Sequence, residues 1–381
     1  MLRIDLKLLL VMIFAGATLG CSLERLAPNK LAIEKRWVRN TPEQEYLGNR
    51  RIHRFQPILL EKMVIVGNSI DGIVVYDRNS AHEKWRMSIK DGVEGGAFVE
   101  DNLLYFGAGD GQLYAVEIDT GKTLWTYPLK AEGLGKPTVK DGTIYILGGN
   151  NVAHCLDAKT GKLNWVYNRR EASNISVRGA AQPVVIGGDV YIGFSDGSFV
   201  ALNKSSGTVL WEANLNHNKR FKDVDATPVV DGDTLYVSSY DGGLYAINRV
   251  DGRILWTLED GGFEEAVLEG NTLFYSSSSG KIYAIEKGSG KTIWSKSNRD
   301  GIATGPVLYK GLVVVGELSG SLLFYDARNG DLINSFAPGR GVTSRAAVDV
   351  QRNEVYFMSH DANIYALGVT WKRRLKDWPW D

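Results

Sequence analysis

The sequence predicts an all-β fold: an eight-bladed β-propeller of four-stranded antiparallel blades, whose ring is closed by the N-terminal strand. Three observations predict it. A pattern of about 40 residues recurs along the chain, and within each repeat short alternating strands are separated by turns that carry Gly or Asp. The last repeat lacks its fourth strand, and a segment with the character of that strand stands alone near the start.

The first twenty residues are typical of an export signal. Arg3 and Lys7 precede an apolar run from Leu8 to Ala15, and small residues follow. The alternative is an uncleaved membrane anchor, but the run is much shorter than the roughly 20 apolar residues that a spanning helix needs. We therefore predict a signal peptide at residues 1–20.

The end of this segment, Ala17-Thr18-Leu19-Gly20-Cys21, resembles a bacterial lipobox, which implies that Cys21 is diacylated. By the same resemblance, Ser22 rather than Asp after the cysteine implies sorting to the outer membrane. The chain has only two cysteines, so Cys155 then has no partner and a disulfide framework is impossible. Residues 21–34 are predicted to be a lipidated tether.

The repeat is marked by three residue types at fixed distances. Its tryptophans are Trp85, Trp125, Trp165, Trp211, Trp256 and Trp294, at spacings of 40, 40, 46, 45 and 38 residues. A glycine stands four residues before five of them, at Gly121, Gly161, Gly207, Gly252 and Gly290, and an alanine ten residues before four of them, at Ala115, Ala201, Ala246 and Ala284. We expect the tryptophan to fill the gap between blades and the alanine to leave room for it. Cys155 occupies the alanine position of its repeat, which favours a small buried residue over a reactive thiol.

The last two repeats depart from this pattern. The seventh has Phe324 at the alanine position and Asn334 at the tryptophan position, which we interpret as a large-for-small exchange that keeps the volume. The eighth, from Ala346 to Ala366, has no tryptophan strand after it. We expect the strand of Trp37 to complete it and to remove the exposed edges of an open stack. The propeller is thus predicted at residues 35–368.

Residues 369–381 form a basic and aromatic tail outside the repeat. Such a composition suits a membrane interface or an acidic partner, and equally a packed or flexible tail.

The repeat is similar to that of pyrroloquinoline quinone (PQQ) dehydrogenases. With the lipobox, the eight repeats and two loop motifs, Ile175-Ser176-Val177-Arg178-Gly179 and Asp223-Val224-Asp225-Ala226-Thr227-Pro228, the chain resembles the BamB family of lipoprotein propellers. This resemblance implies a scaffold without catalytic activity in the outer-membrane β-barrel assembly (BAM) complex. It also implies docking on the polypeptide-transport-associated (POTRA) repeats of BamA, lipid anchoring on the periplasmic face of the outer membrane, and help with insertion of outer membrane proteins.

The two motifs also differ from the other loops in length. The distance from the tryptophan to the next blade's proline is 12 residues at Trp125–Pro137, but 18 at Trp165–Pro183 and 17 at Trp211–Pro228. Consecutive equivalent loops lie side by side on one face of a propeller, so these two should form one patch.

The family's docking positions correspond here to Ile175, Val177, Arg178, Asp223 and Asp225. In the alternative, the two carboxylates cap a turn and pair with Arg178 inside the propeller.

Other functions find less support. A PQQ dehydrogenase commonly needs a Ca²⁺ site and a vicinal cysteine pair, which Cys155 alone cannot supply. The sequence does not exclude a third alternative, a propeller that binds a small ligand in its central channel. The five histidines are dispersed, so we predict no metal and no cofactor.

The remaining partner classes follow from charge and from strand edges. Equal totals of 44 basic and 44 acidic residues argue against a nucleic-acid partner. Exposed blade edges could accept segments of unfolded outer membrane proteins by strand addition. Asp-Gly pairs such as Asp110-Gly111 and Asp196-Gly197 lie between strands and are predicted to be hairpin turns rather than Ca²⁺ ligands.

Overall fold

The structure, a computed structural model, describes residues 30–43, 52–169, 181–216 and 221–372. Its main compact body is Ile33–Val369, and residues 30–32 and 370–372 are the described part of a second, small unit. All regular secondary structure in the described ranges is strand, arranged in eight four-stranded sheets. None of the described segments forms a helix of the length and hydrophobicity that crossing a membrane requires.

Strand β1 is Lys30–Asn40. The next sixteen strands form blades 1 to 4, four consecutive strands to each blade. Blade 1 comprises β2 Ile58–Leu59, β3 Met63–Asn68, β4 Gly72–Asp77 and β5 Glu83–Ser88. Blade 2 comprises β6 Ala97–Glu100, β7 Leu103–Gly107, β8 Gln112–Glu117 and β9 Thr123–Pro128. Blade 3 comprises β10 Thr138–Lys140, β11 Thr143–Leu147, β12 Val152–Asp157 and β13 Leu163–Asn168. Blade 4 comprises β14 Val184–Ile186, β15 Asp189–Gly193, β16 Ser198–Asn203 and β17 Val209–Asn214.

Blades 5 to 7 repeat this order, and blade 8 takes its outer strand from the start of the chain. Blade 5 comprises β18 Val229–Asp231, β19 Thr234–Ser238, β20 Leu244–Asn248 and β21 Ile254–Leu258. Blade 6 comprises β22 Val267–Glu269, β23 Thr272–Ser276, β24 Lys281–Glu286 and β25 Thr292–Ser297. Blade 7 comprises β26 Val307–Tyr309, β27 Leu312–Gly316, β28 Leu322–Asp326 and β29 Leu332–Phe336. Blade 8 comprises β30 Ala347–Asp349, β31 Glu354–Met358, β32 Asn363–Lys372 and β1. The predicted eight-bladed fold and its closure by the N-terminal strand are confirmed.

Short polar side chains set the hairpins between the second and third strands of the blades. The Asp110 carboxylate accepts the N–H of Gln112 at 3.0 Å, and Gly111 between them has a φ of +82°. Asp196 accepts the N–H of Ser198 in the same way, at 3.0 Å. The predicted hairpin turns at these Asp-Gly pairs are therefore confirmed, and glycine is needed there for the left-handed backbone.

Each tryptophan of the repeat joins its own blade to the next. Its indole N–H donates to one equivalent backbone carbonyl of the following blade, at 2.7 to 3.2 Å. The seven donor and acceptor pairs are Trp37 to Arg78, Trp85 to Ile118, Trp125 to Ala158, Trp165 to Lys204, Trp211 to Arg249, Trp256 to Lys287 and Trp294 to Ala327. Since Trp37 makes this bond from β1 to blade 1, it occupies the eighth blade's tryptophan position.

The contact between two neighbouring blades, here called a seam, also explains the glycine of the repeat. A Cβ added at Gly207 would lie 2.6 Å from the Trp165 ring of the preceding blade, and one at Gly252 would lie 2.6 Å from Trp211. The space for six of the seven indoles is therefore left mainly by the next blade's glycine, whereas blade 1, which follows Trp37, has Ala81 at that position. The alanine pairs with the tryptophan across its own sheet, as Ala201 does with Trp211. The Cys155 side chain takes this alanine position opposite Trp165 and is 1% exposed.

The seam between blades 7 and 8 is built differently. Phe324 is fully buried and faces Asn334 across the sheet, in agreement with the expected large-for-small exchange. The carbonyl of Val369, which would meet an indole at another seam, instead accepts the hydroxyl of Tyr309. A phenol from the first strand of blade 7 thus substitutes for the missing indole.

A buried ionic network stabilises the closing seam, which is the contact between blade 8 and blade 1. Arg78 of blade 1 donates from Nε to Glu354 of blade 8 at 2.8 Å and from Nη2 to Asp349 at 2.5 Å. Arg36 of β1 pairs with the same Glu354, and the Tyr356 hydroxyl donates to it at 2.9 Å. The side chains of Arg78 and Glu354 are 3% and 5% exposed. The network therefore joins the beginning of the chain, the first blade and the last blade.

We predict that Gly207→Ala destabilises the protein more than Gly232→Ala. Both glycines have positive φ, at 69° and 57°, but a Cβ at Gly232 meets nothing within 4 Å. The backbone strain is thus matched, and the difference reports the clash with Trp165, about 1 to 3 kcal/mol. Urea denaturation measures both variants; equal midpoints would show that the glycine is not needed for the indole.

We predict that Arg78→Ala lowers the free energy of unfolding by about 3 to 5 kcal/mol, because it leaves the buried Glu354 carboxylate without its main partner. The control is Arg328→Ala, which removes a pair with Asp326 whose arginine side chain is 87% exposed. That variant should change stability by less than about 1 kcal/mol. Similar losses in the two variants would contradict a special role for the closing seam.

Candidate functional site

Two of the predicted site residues lie in the described part of the chain. Asp223 and Asp225 belong to the segment that follows β17 and precedes β18. The predicted lipidation residue Cys21, and Ile175, Val177 and Arg178 of the first loop motif, lie outside the described residues. The second motif is therefore the described part of the predicted patch.

The segment around Asp223 is fixed to blades 4 and 5 by its backbone. The carbonyl of Asp223 accepts the N–H of Tyr240 at 2.9 Å, and the N–H of Val224 donates to Phe194 at 3.1 Å. The Val224 carbonyl passes so close to Gly193 that a Cβ there would lie 2.1 Å from it. This close approach explains a glycine at the end of β15.

The two aspartates of the motif have different positions. The Asp223 side chain is fully buried beneath the segment, whereas Asp225 is half-buried and lines a cavity on the propeller axis. Burial, reinforced by the negative charge of Asp223, raises the pKa of Asp225 to about 8, although Arg54 opposes the shift. Of the two carboxyls, Asp225 is the one that a bound group can reach directly.

The cavity around Asp225 has a volume of about 190 Å³. Residues just before the first strands of seven blades line it, so it lies at the axis, where those strands converge. In each blade, a proline or alanine stands at the start of the first strand. The residues just before it occupy equivalent positions around the ring. The six polar members of this ring are Gln56, Lys136, Gln182, Thr227, Glu265 and Arg345.

Several ring members connect to the preceding blade. Gln56 donates to the Ala346 carbonyl at 2.8 Å, Gln182 to the Thr138 hydroxyl at 2.9 Å, and Arg345 to the Pro306 carbonyl at 2.9 Å. These bonds direct side chains along the cavity wall.

The remaining wall groups are mostly ionisable. Arg54 approaches Glu94 at 3.9 Å and lies 5.7 Å from the centroid of the Phe263 ring, and Arg345 pairs with Glu265. Burial raises the pKa of Glu264, although Arg54, Arg345 and the Gly305 N–H favour its charged form. Burial also lowers the pKa of Lys136. The cavity therefore contains charges of both signs that are poorly solvated.

The cavity residues other than Asp225 were not predicted from the sequence. A usable signal exists: once the repeats are aligned on the proline before each first strand, the preceding residue is polar in most blades. Arg54 and Glu264 fall one or two positions further back, where the repeats share no residue type. Their convergence depends on the closure of the ring, which no single repeat encodes.

Two other features concern alternative chemistry. Burial raises the pKa of the Cys155 thiol to about 11, so that at neutral pH the reactive thiolate is scarce. Within the described ranges, no three His, Cys, Asp or Glu side chains are grouped so as to hold a metal ion.

We predict that Asp225→Asn stabilises the protein at pH 8 by about 2 kcal/mol or more and has a much smaller effect at pH 5. The carboxyl ionises near 3.8 in an ordinary environment and near 8 in the fold. As pH rises between these values, the unfolded chain releases the proton first, so the native side chain increasingly disfavours folding. Because Asn cannot ionise, the variant does not lose stability in this way as pH rises.

Urea denaturation of both proteins at the two pH values measures this effect. Asp251→Asn, at an exposed turn residue, is the control and should behave alike at both. A gain from Asp225→Asn that does not depend on pH would contradict the raised pKa.

Solved structures of several known proteins resemble this propeller. The crystal structure of BamB from Moraxella catarrhalis is similar, with 22% identity, a TM-score of 0.74, and coverage of 88% of this chain and 100% of that chain. A quinohemoprotein alcohol dehydrogenase from Comamonas testosteroni is 13% identical with a TM-score of 0.69, covering 92% and 78%. The computationally designed Ika8 protein is 17% identical with a TM-score of 0.65, covering 84% and 97%. At these identities the structural likenesses show the fold alone.

The match to a protein family is more specific. No curated protein matches the chain. The family model described as outer membrane protein assembly factor BamB matches residues 70–296, which is more than half of the chain. The chain therefore belongs to the family of the outer membrane protein assembly factor BamB.

Proposed function

We propose that this protein is a scaffold lipoprotein, without catalytic activity, of the outer-membrane β-barrel assembly complex. It binds the POTRA domains of BamA through inter-blade loops and aids the insertion of outer membrane proteins. Membership of the BamB family carries this proposal. The lipid on Cys21 anchors the protein to the periplasmic face of the outer membrane, and no cofactor takes part.

The rigidity of the second loop motif supports a docking role. The backbone bonds of Asp223 and Val224 to blades 5 and 4 hold the segment in one conformation before any partner arrives. Two side-chain bonds add to this: the Ser239 hydroxyl donates to the Lys222 carbonyl at 3.0 Å, and Asn216 donates to the Phe221 carbonyl at 3.1 Å. A preordered loop loses little conformational entropy on binding, so more of its contact energy contributes to affinity.

The aromatic residues beside this segment supply apolar contact area. Phe221, which is 36% exposed, packs edge-to-face on Tyr240 with ring centroids 5.8 Å apart. Tyr240 in turn stacks on Phe263 at 5.7 Å. Aromatic groups surrounded by polar ones are typical of the energetic centre of protein interfaces.

The two aspartates then have separate roles in docking. Asp223, buried under the segment, supports the loop, and Asp225 offers a carboxyl group whose ionised form a basic group of BamA would stabilise. In this proposal, Arg178, Ile175 and Val177 of the first loop motif contribute a guanidinium and two apolar side chains to BamA binding. An arginine fork of this kind binds a partner's carboxylate with two parallel hydrogen bonds.

The outer strands of the blades provide a second kind of surface. Paired apolar residues on the strands farthest from the axis are about half exposed, and include Val209, Leu210, Ile254 and Leu255. Unfolded segments of outer membrane proteins alternate in polarity, and can add to such an edge through backbone hydrogen bonds while these side chains cover their apolar face. Client contact at the blade edges is therefore part of the proposed function.

The docking proposal is tested by capture of BamA from detergent extracts with the full lipidated chain. We predict that the double variant Arg178→Ala, Asp225→Ala lowers capture about tenfold or more, because two charge-assisted contacts are lost. The matched control is the double variant Asp251→Ala, Arg253→Ala, which removes the same two charges from the turn between β20 and β21. It should capture BamA as wild type does.

Thermal denaturation of both double variants shows whether each remains folded. If Arg178 and Asp225 act only within the propeller, the first double variant will melt earlier yet capture BamA fully at low temperature. Full capture by that variant would remove the loop patch from the proposed function.

A further inference from the structure

The axial cavity contains charges that the protein does not pair internally. Seven ionisable side chains line it: Arg54, Glu94, Lys136, Asp225, Glu264, Glu265 and Arg345. Four of them form the two pairs Arg54–Glu94 and Arg345–Glu265. Among the described residues, the other three, Lys136, Asp225 and Glu264, form no ion pair within 4.0 Å. The wall thus presents one ammonium group and two carboxyl groups without a counter-ion.

The two carboxyl groups come from adjacent blades. Asp225 precedes the first strand of blade 5 and Glu264 precedes that of blade 6. The Gly305 N–H bonds to the Glu264 carboxylate and orients it. Arg54 acts on both acids and Arg345 acts on Glu264, but these two guanidinium groups are paired with Glu94 and Glu265. Both carboxyls line the cavity, where burial disfavours their ionised forms and a bound cation would favour them.

Lys136 differs from Arg345, the other basic member of the polar ring, in forming no ion pair among the described residues. Its equivalents Gln56, Gln182 and Arg345 each bond to the preceding blade, whereas Lys136 makes no hydrogen bond within the described structure. Glu265 attracts it, but that carboxylate is paired with Arg345, whose positive charge opposes the attraction. An ammonium group that burial disfavours and no side chain pairs is suited to a ligand's carboxylate.

We propose that the axial cavity binds a small molecule with one carboxylate and two cationic nitrogen groups, of which a free basic amino acid is the simplest. Its carboxylate meets Lys136, and its two cationic groups meet Asp225 and Glu264. A ligand of this charge pattern leaves every ionisable group on the wall compensated.

Size agrees with this class. At about 190 Å³ the cavity is smaller than the roughly 300–1,000 Å³ typical of sites for drug-sized ligands. A single amino acid is therefore a suitable occupant, and a longer peptide would have to extend out of the cavity. The inference goes beyond the scaffold role, and although Asp225 belongs to both proposed sites, Lys136 and Glu264 belong to the ligand site alone.

The test is isothermal titration of the purified full chain with L-lysine. L-alanine and cadaverine are the comparison probes: the first lacks the second cationic group, and the second lacks the carboxylate. We expect L-lysine to bind at one site per chain, and both comparison probes to bind about tenfold or more weakly, since each loses one charge-assisted contact. Cadaverine binding as tightly as L-lysine would overturn the assignment of Lys136.

Glu264→Gln and Lys136→Met identify the site, and neither residue belongs to the proposed BamA surface. Each should weaken L-lysine binding about tenfold or more while leaving BamA capture unchanged. The matched control is Gln182→Met, which alters the wall without removing a charge and should bind L-lysine as wild type does. Failure of L-lysine to bind at millimolar concentration, or equal binding by all variants, would overturn the proposal whatever the outcome for BamA.

Melting temperature provides a second measurement that does not depend on binding heat. Without ligand, Glu264→Gln should melt at the wild-type temperature or above it, because a poorly solvated carboxyl is removed. L-lysine should raise the melting temperature of wild type and not that of the variant. If the variant has a lower melting temperature than wild type and L-lysine still raises it, Glu264 has only a structural role.

Discussion

The contact of an indole ring with the glycine of the next blade determines how this molecule is built. A single blade has two apolar faces, so it is stable only when both are covered by neighbours. At seven seams the covering group is a tryptophan whose N–H meets a backbone carbonyl of the following sheet. The ring thus depends on a few atoms at each seam, and the loops between blades are left free to differ.

This arrangement also explains where charge accumulates. Because the first strands converge on the axis, the residues that precede them are brought to one small cavity from blades far apart in the sequence. A core of this kind does not maximise stability, since Lys136, Asp225 and Glu264 lie there without internal ion pairs among the described residues. Proteins commonly accept such a loss where groups serve recognition. The rigid Asp223–Val224 segment connects the cavity wall to the surface on which we place BamA.

The blades and their closure could be predicted from the sequence, whereas the substitute donor and the loop side chains could not. Tryptophan spacing predicted the blades, and the isolated Trp37 predicted the closure, because each seam repeats a local pattern. Tyr309 as a substitute donor could not be predicted, since it comes from a different strand than the residue it replaces. The sequence also could not predict that Asp223 is buried while Asp225 lines the cavity. A loop lacks the alternation of residues from which the direction of a side chain can be inferred. The docking roles of Ile175, Val177 and Arg178 stay predictions.

The closing seam has a consequence for the order of events during biogenesis. Arg36 and Glu354 are separated by 318 residues, so their pairing is among the most non-local contacts in the chain. Blades 1 to 7 are each made of consecutive strands and form from local contacts, which are rapid. The eighth blade cannot assemble until residues near both ends of the chain are available. Until then β1 is a strand without its sheet, and its unpaired edges can pair with other chains.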